Sequence, residues 1–130
     1  MSRLLERIGI GLPVVQAGMG GGTAAHELAA AVSEAGGLGT IGILDPSALR
    51  AEIGAARRLT AKPIAVNLLL PFARPGHWRA AGEADAVVTF WGRPARRTPR
   101  LWVHQCGSVG EAVAAQRAGA DAVIAQGVEA

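Results

Sequence analysis

Short apolar runs alternate along this chain with stretches in which apolar residues return every three or four positions. Such a pattern reads as strands set between amphipathic helices. Val14 to Ala17 predicts a first strand. Thr23 is placed to cap a helix that runs through Glu27 to Glu34 and stops at Gly36-Gly37. Leu38 to Leu44 predicts a second strand, weakened by Gly39 and Gly42. Asp45 before Pro46 joins an N-cap to a proline at the first helical position. The helix that follows shows Leu49, Ile53 and Ala56 on one face and ends near Thr60. Pro63 to Leu70 is continuously apolar, as a strand covered on both faces would be, and Pro71 stops it. A short helix is predicted between Pro75 and Gly82. Ala86 to Phe90 and Leu101 to Cys106 predict the fourth and fifth strands. Ser108, with Glu111 three residues on, opens a helix to Arg117 that ends at Gly119, and Ala122 to Ala125 is a sixth strand.

Strand, loop, helix and turn repeated in this way predict an α/β fold around a parallel sheet with right-handed crossovers. A doubly wound open sheet and a (β/α)8 barrel both satisfy the pattern, and in both the ligand lies beyond the strand C-termini. Polar residues fall there. Gln16 precedes Gly18, Asn67 lies in the third run, and Thr89 precedes Gly92. His104 and Gln105 precede Gly107, and Gln126 precedes Gly127. Together they predict a neutral rim of amides, a hydroxyl and an imidazole, suited to a flat heterocycle with donors and acceptors on its edge. His104 is the only histidine placed near this rim; His26 falls in a helix's opening turn and His77 in a connector, both read as surface residues. Asp85 and Asp121 open strands at the opposite rim and read as structural.

Two glycine clusters need separate readings. Gly37-Leu38-Gly39-Thr40-Ile41-Gly42 spells G-x-G-x-x-G, but a helix precedes it and a strand follows, the reverse of a dinucleotide-binding turn. Gly18-Met19-Gly20-Gly21-Gly22 follows a strand, where missing side chains let backbone approach a ligand.

Composition narrows the classes. The 130 residues are 50% hydrophobic and 18% charged, with 18 glycines and no tyrosine, so one domain packs a core of Ala, Val, Leu and Ile. The net charge of +3 is carried almost wholly by arginine, Lys62 being the only lysine. Arg93, Arg96, Arg97 and Arg100 form the one dense basic patch, without the aromatic interleaving of a nucleic-acid surface. Cys106 is alone, which leaves no intrachain disulfide and no zinc pattern. No signal peptide and no membrane-length apolar run is found, so a cytoplasmic location is expected.

The segments VVQAGMGGGTAAHELAAAVSEAGGLGTIGIL, KPIAVNLLLP and HQCGSVGEAVAAQRAGADAVIAQGVEA resemble the nitronate monooxygenase family. The resemblance implies a (β/α)8 barrel that holds FMN and oxidises alkyl nitronates, with O2 as final oxidant, to carbonyl compounds and nitrite. It implies that the family's flavin contacts fall on Gly18, Met19, Gly20, Asn67 and Gln126. A barrel of this type takes about 250 residues. Residues 1–130 are therefore expected to form a single incomplete domain of about six β/α units. The family's catalytic histidine would follow Ala130. The chain alone is expected to hold FMN weakly or not at all, to turn over no nitronate, and to expose barrel edges through which copies could associate. An FMN-dependent enoyl-ACP reductase-like enzyme and a non-catalytic fragment or flavin-binding half are the alternatives, with nucleic-acid binding a remote third.

Overall fold

The computed structural model describes residues 3–127, so the end of the AQGVEA segment, residues 128–130, lies outside the described residues. Five parallel strands form one sheet: β1 Gly39–Ile41, β2 Ile64–Leu69, β3 Ala86–Phe90, β4 Leu101–Cys106 and β5 Ala122–Ala125. They neighbour one another in sequence order, β1-β2-β3-β4-β5. That order decides between the two architectures. A doubly wound sheet reverses its order at a switch point, whereas continuous winding sends every right-handed crossover to one face. The sheet is an arc of the (β/α)8 type.

Helices α2 His26–Glu34, α3 Pro46–Leu59 and α4 Pro75–Ala81 cover the outer face. Ala29, Leu49, Ile53, Ala56, Ala80 and Ala81 pack there on Ile41, Ile64, Val66, Leu68 and Val87. Full burial of each large aliphatic side chain is worth about 1.5–3 kcal/mol. Helix α5 Val109–Arg117 follows β4 and buries Ala115. The inner face carries Leu38, Ala65, Ala86, Val88 and Val103. It meets Leu5, Ile8 and Ile10, from and just after α1 Arg3–Ile8, a helix the sequence pattern had not suggested. These contacts fall at the first residues of the strands, so α1 closes the N-terminal end of the arc.

Ties at that end confirm the structural reading of two aspartates. Asp85 Oδ2 accepts from Ile64 N at 2.8 Å, and Asp121 Oδ2 accepts from Trp102 N at 2.8 Å. Each carboxylate thus joins the start of its strand to the preceding one. Asp121 also accepts from Arg7 at 2.5 Å and Arg96 at 3.1 Å. Burial works against its charge, but the Trp102 amide and the two arginines outweigh it and hold its carboxyl below the ordinary value. The β3–β4 crossover, residues 91–100, contains no helix. Arg96 pins it to Gly119 O at 2.6 Å, and Arg100 Nε donates to Gly82 O at 2.7 Å. Half of the basic patch is therefore spent on backbone ties.

Three expectations are corrected. Val14 to Ala17 is not a strand of the sheet, which therefore has five strands and not six; it makes one parallel bridge, Val15 to Leu38. The next rung is taken over by a side chain: Gln16 Oε1 accepts from Thr40 N at 3.1 Å, and Gln16 Nε2 donates to Thr40 O at 3.0 Å. The amide imitates a peptide group and lets the backbone turn away. Thr23 does not cap α2, whose N-cap is Ala25 with no side-chain bond. The first amide, His26 N, is satisfied instead by Glu52 Oε2 from α3 at 2.8 Å. His77 is a buried residue of α4, not a surface residue in a connector; its Nδ1 accepts from Arg74 N at 3.0 Å and its Nε2 donates to Leu44 O at 2.9 Å. Asp45 and Ser108 do cap α3 and α5 as their spacing predicts. Among the described residues no helix is long and apolar enough to cross a membrane.

Candidate functional site

The period of two along each strand decides which polar side chains meet. On β2, Ala65 and Asn67 point to the inner face. On β3 it is Ala86, Val88 and Phe90, on β4 Leu101, Val103 and Gln105, and beyond Ile124 of β5 it is Gln126. At the C-terminal end of the strands these side chains enclose a cleft of about 650 Å3. Gln16, Gly18, Thr40, Asn67, Gln105 and Gln126 contribute its polar lining, and Val15, Val88, Phe90, Trp91 and Ile124 its apolar walls. Among the described residues no charged side chain lines it.

A larger hollow of about 730 Å3 lies at the other end, lined by Arg3, Leu4, Glu6, Arg7 and Asp121. Its Arg7 and Asp121 are already committed to each other. Parallel α/β folds bind ligands beyond the strand C-termini, which favours the neutral cleft.

Gly18, Asn67 and Gln126 reach the cleft as the sequence suggests; Met19 and Gly20 are not among its lining residues. The glycines have a structural explanation. A Cβ on Gly18 would stand 2.4 Å from Asn67 Cβ, so this glycine lets the first loop close over the asparagine. A Cβ on Gly42 would stand 2.0 Å from Met19 O, and one on Gly39 would stand 1.9 Å from Ala29 O. The G-x-G-x-x-G segment is thus a packing surface for α2 and for the first loop. Gly20 has room, its nearest neighbour being Ile43 Cγ2 at 3.8 Å.

Thr89 and His104 do not join the rim. They lie between inward-facing neighbours, and alternation turns them outward, where both are buried. Trp102 Nε1 donates to Thr89 Oγ1 at 2.8 Å, so the Thr89 proton is left for His104 Nδ1, also at 2.8 Å. This network assigns the remaining imidazole proton to Nε2. Burial pushes the His104 pKa below the ordinary value, against a smaller opposing pull from Glu111. His104 is therefore a neutral part of the outer wall, and no histidine lines the cleft. Cys106 is likewise buried, and its thiol pKa is raised chiefly by that burial.

The cleft's polar atoms divide by commitment. Both ends of the Gln16 amide are held by Thr40 backbone, which makes Gln16 a brace. Asn67 Nδ2 makes one long bond, 3.4 Å to Val88 O. The Thr40 hydroxyl is buried without a partner. Uncharged amides and a hydroxyl between apolar walls suit a flat neutral heterocycle, and among the described lining residues no cationic side chain is present to pair with a phosphate. Among the described residues no three His, Cys, Asp or Glu side chains are grouped to hold a metal ion.

A sequence model of the family described as nitronate monooxygenase matches residues 1–98. A probable nitronate monooxygenase of Staphylococcus haemolyticus (strain JCSC1435) is 36% identical over 102 residues, covering 77% of this chain and 27% of the relative. Among solved structures, FabK from Thermotoga maritima superposes with a TM-score of 0.87 at 33% identity, over 96% of this chain and 43% of that one. A nitroalkane oxidase from Streptomyces ansochromogenes superposes with a TM-score of 0.83 at 31% identity, over 99% of this chain and 49% of the other. This chain thus spans about a quarter of the curated relative and under half of each solved chain.

Proposed function

The chain belongs to the nitronate monooxygenase family, and on that premise we propose that its neutral cleft holds the isoalloxazine ring of FMN for the oxidation of alkyl nitronates to carbonyl compounds and nitrite, with O2 as final oxidant. The observation that carries this reading is the lining itself: Gly18, Asn67, Gln105 and Gln126 gathered at one strand end with no charge among them. FMN, when bound, supplies the electron-accepting chemistry.

The chain's own residues bind and orient. Asn67 and Gln126 offer amides to the polar edge of the ring, Gln16 keeps the wall in place, and Val88 and Ile124 keep water from the ring face. Among the described residues no acid or base side chain lines the cleft, so these residues hold and orient the ring and are assigned no proton transfer. Residues 1–130 then act as an incomplete domain, the ring-holding part of the flavin site.

Titration of FMN into the purified chain, followed by flavin fluorescence, tests the reading. Saturable quenching that Asn67→Ala and Gln126→Ala each weaken supports it. Quenching that neither substitution changes argues against it, and so does none at all, which would instead bear out the expectation that the chain alone does not hold FMN. Nitrite release from nitronates by a complete family protein carrying this segment tests the reaction, and rapid flavin reduction by NAD(P)H there would favour the enoyl-ACP reductase alternative.

A further inference from the structure

Two local costs in this structure fall on the same cleft. Trp91 has a φ of 59° and is the one non-glycine among the described residues with a left-handed backbone. For a bulky side chain that is a true outlier, and such strain gathers at functional sites. Gly92 follows with a φ of 74°, so the chain turns sharply as it leaves β3. The turn leaves Trp91 42% exposed on the cleft wall, with Phe90 beside it at a ring separation of 4.9 Å. The second cost is Thr40. The residue is only 1% exposed, it lines the cleft, and its hydroxyl has no hydrogen-bond partner. A buried hydroxyl in that state is normally removed by selection unless it has a use.

A glycine at position 91 would make the turn without strain, and a valine at position 40 would fill the same volume without an orphaned proton. Both exceptions become intelligible if a ligand completes them. A planar ring offers a π-face to the indole, and a carbonyl or ring nitrogen on its edge offers an acceptor to the hydroxyl.

We propose that Trp91 and Thr40 are ligand contacts of the cleft, the indole stacking on a neutral planar heterocycle and the hydroxyl bonding to its polar edge. The proposal rests on the flavin reading and adds two residues to it. It also sets the chemistry of the ligand, which is recognised as an aromatic ring and not through a charge.

Riboflavin, which carries the ring without the phosphate, is the probe. It is titrated into the whole chain and into four variants, following flavin fluorescence. Trp91→Leu should weaken binding about tenfold, and Trp91→Phe should stay within about threefold of the wild type. Thr40→Val should weaken binding about three- to tenfold, and Thr40→Ser should restore it. Thr40→Val should at the same time raise the Tm of the ligand-free chain. A merely structural threonine would not give that opposition of sign. Wild-type affinity in Trp91→Leu or in Thr40→Val removes that residue from the site while leaving the flavin reading intact. Failure of the wild-type chain to bind riboflavin overturns the proposal together with the reading.

Discussion

Thr89 and His104 face each other across β3 and β4 as register partners, with Thr89 Oγ1 and His104 Nδ1 2.8 Å apart on the outer side of the sheet. The pair belongs to the wall and not to the cleft. His104→Asn keeps an acceptor near the Thr89 proton but cannot titrate, whereas His104→Leu leaves that proton unpaired. His104→Leu should lose about 1–3 kcal/mol of stability. Neither variant should change riboflavin affinity.

The same histidine predicts a pH dependence. Burial lowers its folded pKa below the ordinary 6.5, so the unfolded chain binds a proton more readily than the folded one. The stability it contributes is present above the ordinary value and is lost as pH falls through the lowered one. Tm measured from about pH 7.5 down to 5.5 should fall for the wild type and run flatter in His104→Asn. Equal slopes would show that His104 takes up its proton as easily folded as unfolded.

Gly18 and Gly20 separate two reasons for a glycine. Gly18→Ala drives a methyl into Asn67 Cβ, 2.4 Å away, and should cost about 1–3 kcal/mol while displacing the amide from the cleft. Gly20→Ala meets only Ile43 at 3.8 Å and should stay within about 0.5 kcal/mol of the wild type. Chemical denaturation and flavin titration on both variants check this. A Gly20→Ala chain that is folded but unable to bind would mean that the ring approaches this loop more closely than its lining suggests.

Asp121→Asn removes the charge that holds Trp102 N, Arg7 and Arg96. A loss of about 1.5–3 kcal/mol is expected from these charged hydrogen bonds, with riboflavin affinity unchanged at temperatures where the variant is folded. Because the Asp121 carboxyl is held below its ordinary 3.8, its contribution is present above that value and lost as pH falls through the lowered one. Acid unfolding of Asp121→Asn should therefore be less steep than that of the wild type.

The uncharged lining makes a prediction about the cofactor's tail. FMN and riboflavin should bind this chain with affinities within about twofold, since the ring carries the recognition and no cationic side chain lines the cleft. Isothermal titration of both ligands decides it. Much tighter FMN would place a phosphate contact outside the cleft, with unpaired arginines such as Arg93 and Arg97 the first residues to substitute.

The sequence made most of the framework legible because its strands are apolar runs bounded by proline and glycine. β3, β4 and β5 lie where the pattern puts them, and Asp45 and Ser108 announce their helices by spacing alone. The lining of the cleft was legible at Asn67, Gln105 and Gln126. Thr89 and His104 were misplaced because nearness to a strand end was weighed without the alternation that runs from Val88 and Val103. The short strand expected at Val14–Ala17 could not be corrected from pattern, since a glutamine side chain standing in for a peptide is a tertiary event. α1 had a faint signal in Leu4, Leu5 and Ile8. Trp91 had none: nothing in composition separates a strained tryptophan from an ordinary one.

The Arg7–Asp121–Arg96 cluster joins residues 114 positions apart along the chain. One carboxylate thereby fastens the first helix, the helix-free crossover and the last described strand at a single point. Opening of any one of the three withdraws a partner from the other two, so their slow amide protons should exchange as one cooperative unit. The centre of the arc, held by local strand pairs, can exchange on its own terms. So long-range a contact also forms only after a large loop has closed, which places the docking of α1 late in folding and makes the end of the arc opposite the cleft the last part to become rigid.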